Sequence, residues 1–154
     1  MVQVFVFLIC LAAVVAGFFS VLWGWVILVV PSAFLLFALF GLKRKKWQYI
    51  PALSDAGNQM LQKFGHYYAM PAAGMSFSAS ASTLMFAGAA ISIIGAFNGF
   101  LWGIGLGVIN WILMGFVSRA FNPTISLVDP LEQFGHKEVI AWIAAKQPPK
   151  MGDT

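Results

Sequence analysis

Two histidines, a single cysteine and five carboxylates are the side chains of this 154-residue chain from which a reactive site could be built. His66 and His136 could in principle converge as haem or metal ligands. Metal sites, however, assemble three or four ligands at recognisable spacing, and no Cys, Asp or Glu cluster accompanies either imidazole. No metal or other cofactor is therefore expected, and both histidines read as interfacial or partner-contacting residues. Glu132 and Glu138 lie six positions apart and would not share a helical face, whereas paired acid and base work needs two carboxylates placed together. Cys10 has no partner for an intrachain disulfide and reads as a packing residue. Nucleophile-elbow, zincin, P-loop and dinucleotide fingerprints do not occur. These residues point away from catalysis.

The elements that would hold such side chains are set by composition. Hydrophobic residues make up 60% of the chain, charged ones only 9%, and the mean hydropathy is +0.85. A soluble domain carries about a quarter of its residues as charges, so an ordinary cytosolic enzyme, a disordered tail and a nucleic-acid-binding domain are excluded. Residues 1–42 and 79–118 contain no Asp, Glu, Lys or Arg. Since about 20 helical residues cross a hydrocarbon core, each tract suits two crossings. The expected fold is an all-α integral membrane protein with four transmembrane helices in two hairpins, plus two amphipathic cytoplasmic surface helices. Its segments are a first hairpin (1–42), a basic and amphipathic cytoplasmic segment (43–79), a glycine-rich second hairpin (80–118) and an amphipathic C-terminal tail (119–154).

The first tract divides at Gly17-Phe18-Phe19-Ser20. Trp23 and Trp25 are then placed for an interfacial belt, and a second span runs from about Trp25 to Leu42, kinked at Pro31. The apolar N-terminus lacks a positive n-region and a small-x-small cleavage site, so it is expected to be a retained span. The second tract divides at the turn dipeptide Asn98-Gly99. Lys43, Arg44, Lys45 and Lys46 follow span two and Arg119 ends span four, while both hairpin tips lack Lys and Arg. The positive-inside rule then places both polar segments and both termini in the cytoplasm, with a bacterial inner membrane as the expected location. The basic run is a topology signal that also attracts anionic lipid headgroups.

In the polar segments, Leu53, Met60, Leu61, Phe64, Tyr67 and Tyr68 fall on one helical face, with Ser54 or Asp55 as cap and Pro71 as stop. Asp129-Pro130 signals a second helix that carries Leu131, Phe134, Ile140 and Ile143 and ends at Pro148-Pro149. Both helices are expected to lie on the headgroup boundary or against a neighbouring subunit. Ala72–Ser82 alternates Ser with apolar residues and is expected to be a loop leading into span three.

Inside the second hairpin, Gly99, Gly103 and Gly107 recur at intervals of four, as do Gly88, Ser92 and Ala96. Such stripes let helix backbones approach closely in lipid. They serve either as an oligomerisation surface or to pack span three on span four. Asn110 is the clearest polar side chain deep in a span and needs a partner in Ser92, the backbone or another subunit. With no Asp, Glu, Lys, Arg or His in any span, a coupled transporter is disfavoured. The 15 Phe and 6 Trp could line a pigment or quinone site, but lipid-facing roles account for most of them. The expected function is that of a small non-catalytic membrane subunit. It would pack through its small-residue stripes into a larger assembly, such as an energy-converting or secretion complex, with membrane lipids and other subunits or copies of itself as partners and no nucleic acid. The alternative is a homo-oligomeric channel or passive transporter with the glycine-rich fourth span lining the pore.

Overall fold

The computed structural model describes residues 1–44 and 46–145. Lys45 and the Pro148-Pro149 stop therefore lie outside the described residues. The chain is all-α, with no strand among the described residues. The helices are α1 (Val2–Phe19), α2 (Val21–Arg44), α3 (Asp55–Ala69), α4 (Pro71–Phe97), α5 (Trp102–Phe121), α6 (Pro123–Ser126) and α7 (Pro130–Ala144). Four of them, α1, α2, α4 and α5, are long and apolar enough to cross a membrane, as expected of an all-α membrane protein.

The chain divides into two compact units. The first comprises Met1–Phe37 and Ser76–Ser118, and the second Ala38–Met75 and Arg119–Thr154. The second unit thus collects the C-terminal ends of α2 and α5, the N-terminal turn of α4 and both polar segments.

In the first unit, α1 buries one stripe, Val6, Cys10, Ala13 and Gly17, at alternating spacings of four and three. The helix does not break at Gly17. It continues to Phe19, and the chain reverses at a single extended residue, Ser20, before α2 begins at Val21 rather than near Trp25. Gly17 is used for contact instead. A Cβ on Gly24 would lie 3.0 Å from the Gly17 Cα and 2.9 Å from the Ala13 carbonyl, so the hairpin closes only because both positions are bare. Trp23 and Trp25 do not share an interfacial role either. Adjacent helical residues diverge by about 100°, which leaves Trp23 62% exposed and turns Trp25 inward.

The stretch expected to form a loop, Ala72–Ser82, is helical, the first third of a continuous α4 that starts with Pro71. Proline suits the first helical position because that N–H has no intrahelical acceptor. The serines and threonine do not compete with the helix, because they bond back to it: Ser82 Oγ to Ser78 O at 3.1 Å and Thr83 Oγ1 to Ala79 O at 3.0 Å. The turn to α5 lies at Asn98-Gly99, with Gly99 at φ +80° and the Asn98 amide donating to Ile94 O at 2.8 Å.

In the second unit, Ser54 caps α3 by accepting from Gly57 N, and Asp129 caps α7 by accepting from Leu131 N at 2.8 Å. The apolar face of α3 does exist as its spacing implies, but neither lipid nor another subunit covers it. Leu53, Met60, Leu61, Phe64 and Tyr68 form a buried cluster with Val139 of α7, bordered by Tyr67, Leu127, Trp142 and Ile143. The inner face of α7 is Gly135, His136 and Val139. Leu131, Phe134 and Ile140, expected to share a buried face with Ile143, point outward.

Candidate functional site

The stripes of small residues converge on the seam between α4 and α5. A Cβ on Gly107 would overlap the Ser92 side chain, and one on Gly88 would overlap the Asn110 amide. Both glycines are thus filled from the facing helix of the same chain. The Ser92 hydroxyl lies 2.8 Å from Gly88 O on its own helix and 3.0 Å from Gly103 O across the seam, so its proton bridges the two helices. Asn110, buried near mid-span, donates from Nδ2 to Leu84 O at 3.0 Å, a backbone partner rather than Ser92 or another subunit. Further along, the Ser78 and Ser118 hydroxyls meet at 2.9 Å. Each such contact between spans contributes about 0.6 kcal/mol on average.

The other stripe positions differ. Ala96 is half-buried and belongs to the turn, its carbonyl accepting from Gly99 N at 3.1 Å. Nothing would meet a Cβ on Gly99, whose glycine is required by the positive φ. Gly103 faces Trp25, with the indole Nε1 3.8 Å from where a Cβ would stand. That Nε1 is buried without a hydrogen-bond partner. Trp25 also forms one end of a cavity of about 240 Å³ between α2 and α5, lined further by Leu28, Ser32, Leu106, Asn110 and Met114. A larger groove of about 760 Å³ lies between α1 and α2, walled by Val2, Phe5, Ile9, Val30, Pro31 and Phe34.

Of the basic residues, Lys43 and Arg44 are the last residues of α2, and Arg119 stands in the last turn of α5, where a cation complements the helix dipole. Lys46 and Arg119 are exposed. All belong to the second unit, together with α3 and α7.

The two candidate carboxylates have separate tasks there. Glu132 pairs with the half-exposed Lys63, a surface bridge of at most about 1 kcal/mol. Glu138 reaches the start of α3, accepting from Ser54 N at 2.8 Å and from the Ser54 hydroxyl. The open N–H groups of α3 are thereby met by an anion from α7. The helices cross closely at Gly135, where a Cβ would stand 2.5 Å from Ala56 O.

His66 and His136 lie on these two packed helices and make different contacts. The Tyr68 hydroxyl is 2.7 Å from His136 Nδ1. His66 packs edge-on against Phe121 at 4.9 Å, and its Nε2 is buried without a hydrogen-bond partner. Burial pushes His66 down to about 4 and lowers His136 as well. It also raises Tyr68, with smaller contributions from Tyr67 and Glu132. Among the described residues no three His, Cys, Asp or Glu side chains gather as metal ligands.

Two residues that sequence reasoning passed over organise this unit. Asn58 is buried, accepts from Ile50 N at 2.9 Å, and directs its amide at Ile50 O, Leu53 O and Ser54 O at 3.0 to 3.2 Å. Trp47, directly after the basic run, lies flush on Gly65, where any Cβ would strike the indole, and its carbonyl accepts from Gln62 Nε2 at 2.6 Å. The only sequence signal was a glycine inside the amphipathic helix, eighteen residues from the tryptophan it receives.

No family model, no curated protein and no solved structure matches this chain.

Proposed function

We propose that the chain is a small, non-catalytic integral membrane subunit of a larger assembly of the energy-converting or secretion kind. In this reading it sits in a bacterial inner membrane with both termini and both polar segments in the cytoplasm. One observation carries the proposal: the apolar groove of about 760 Å³ between α1 and α2, flanked by Phe5 and Phe34 at 65% and 54% exposure. Only 22% of the α1 span and 28% each of the α2 and α5 spans is covered within the chain, against 44% of α4. In this reading the contact surface for a neighbouring span is the α1–α2 groove and not the glycine stripe, whose Gly88 and Gly107 sites are occupied by Asn110 and Ser92. The same occupancy weighs against a homo-oligomeric channel lined by α5.

A photo-crosslinking amino acid at position 5 or 34 of the full chain in native membranes tests this. The expected product is a discrete protein adduct from both sites and none from position 112, which lies on the open face of α5 at 65% exposure. Adducts with lipid alone at positions 5 and 34 would contradict the proposal.

A further inference from the structure

We infer that the segment Ile125–Phe134 is a membrane-surface wedge, whose large apolar side chains sit among the lipid headgroups and upper acyl chains beside the end of α5. Ile125, Val128, Leu131 and Phe134 follow one another at intervals of three and are 55%, 85%, 69% and 57% exposed. They have no place in the core of the second unit, because α7 turns Gly135, His136 and Val139 toward α3 and leaves its first turn outward.

The chain itself decides which apolar medium covers them. Phe121 ends a helix long and apolar enough to span a membrane, and Arg119 in its last turn is the first charged residue after the uncharged tract 79–118, as expected where a span leaves the hydrocarbon. Ile125 is four residues further and lies within roughly 14 Å of Phe121 even for extended chain. The path is shorter than that, because the chain leaves α5 by a sharp turn: Asn122 is extended, caps Thr124 N at 3.1 Å, and is followed by one turn of helix with Pro123 buried. Phe40 of α2 and Met75 of α4, in the same unit, are likewise exposed apolar side chains, at 58% and 54%.

Charge agrees. The two acids in the stretch already have partners, Asp129 at the start of α7 and Glu132 with Lys63. Lys63 thereby offsets the Glu132 charge, and Asp129 is held at the start of α7, where a helix favours an anion. A second copy of the chain fits less well, since a stable protein interface engages about 20–30 residues a side and this patch offers four large apolar ones.

The test uses the full-length protein with Cys10→Ser, carrying one nitroxide-labelled cysteine at a time. Positions 125, 128, 131 and 134 are compared with 137 and 59 in vesicles of phosphatidylethanolamine and phosphatidylglycerol. Collision rates are read with oxygen, which concentrates in lipid, and with a neutral nickel chelate, which stays in water. The wedge gives an oxygen-to-nickel ratio several-fold higher at 128 and 131 than at the exposed Lys137 position. Equal ratios at 128, 131 and 137 would overturn it in favour of a water-facing surface. Suppression of both collision rates at 128 and 131 would overturn it in favour of a protein neighbour, with spin–spin broadening marking a second copy. All four sites are more than half exposed, so labelling leaves the fold intact, and none belongs to the α1–α2 groove, so this outcome is independent of the assembly proposal.

Discussion

Gly107→Ala should loosen the α4–α5 seam, and its cost can be worked from the contacts. The new methyl would stand 2.9 Å from Ser92 Cβ and overlap the Ser92 hydroxyl, whereas carbon atoms pack comfortably at about 3.5–4.0 Å. Either the helices separate or Ser92 rotates away from Gly88 O and Gly103 O, giving up about 0.6 and at most nearly 2 kcal/mol. Overpacking adds about 1–3 kcal/mol, and the preference of helices for Ala over Gly returns about 0.5–1 kcal/mol. The net expected loss is about 1–4 kcal/mol. Gly105→Ala is the matched control, because nothing lies within 4 Å of its Cβ position, and it should be neutral or stabilising by up to about 1 kcal/mol. The double variant Ser92→Gly with Gly107→Ala moves the small residue across the seam and should recover about 1 kcal/mol or more, a coupling that only touching residues show. Equilibrium unfolding in mixed micelles, followed by tryptophan fluorescence, measures the wild type, Gly107→Ala, Gly105→Ala, Ser92→Gly and the double variant, the single variants closing the cycle. If Gly107→Ala proves as stable as Gly105→Ala and the cycle shows no coupling, the seam is not built as described.

Three further outcomes are expected in the second unit. Gly135→Ala places a methyl 2.5 Å from the Ala56 carbonyl and should cost about 1–3 kcal/mol, seen as faster hydrogen exchange throughout α3 and α7 and unchanged exchange in α1. Asn58→Ala removes the acceptor for Ile50 N and the donor for three carbonyls. It should cost about 2–3 kcal/mol and deprotect residues 47–54 first. His66 is held at about 4, below its usual 6.5, so the unfolded chain takes up the proton first. Stability of this unit is therefore full above about pH 6.5 and declines as pH falls toward 4, by about 2–3 kcal/mol. Near-UV circular dichroism against pH should show that decline, and His66→Phe should make it smaller, leaving the part that the buried His136 contributes.

The fold was legible wherever the deciding chemistry is local. Charge-free tracts mark spans because an ionised side chain is costly in hydrocarbon, and Asn98-Gly99, Ser54 and Asp129 mark turns and caps because their own side chains or backbone perform those tasks. Where a residue's role depends on what faces it, the sequence misled. Gly17 reads as a break and is a contact for Gly24. Ala72–Ser82 reads as a loop because serine can cap or turn, yet here its hydroxyls return to the helix. The α3 face reads as covered by lipid headgroups or a neighbouring subunit, and only the crossing of Gly135 over Ala56 assigns it to α7. In the second hairpin the interval of four identified the seam at Gly88, Ser92 and Gly107. It could not say that Asn110 and Ser92 of the same chain fill it, since an identical stripe would serve two copies equally well.

The central claim is that the chain crosses the membrane four times, with both polar segments on one side. Single cysteines at Ser20, Asn98, Gln59 and Lys137 in a Cys10→Ser background, probed in intact cells with a membrane-impermeant maleimide, test it most directly. Positions 20 and 98 should label in intact cells, and positions 59 and 137 only after lysis. Labelling of 59 without 137, or of 137 without 59, in intact cells would place the polar segments on opposite faces and contradict the account.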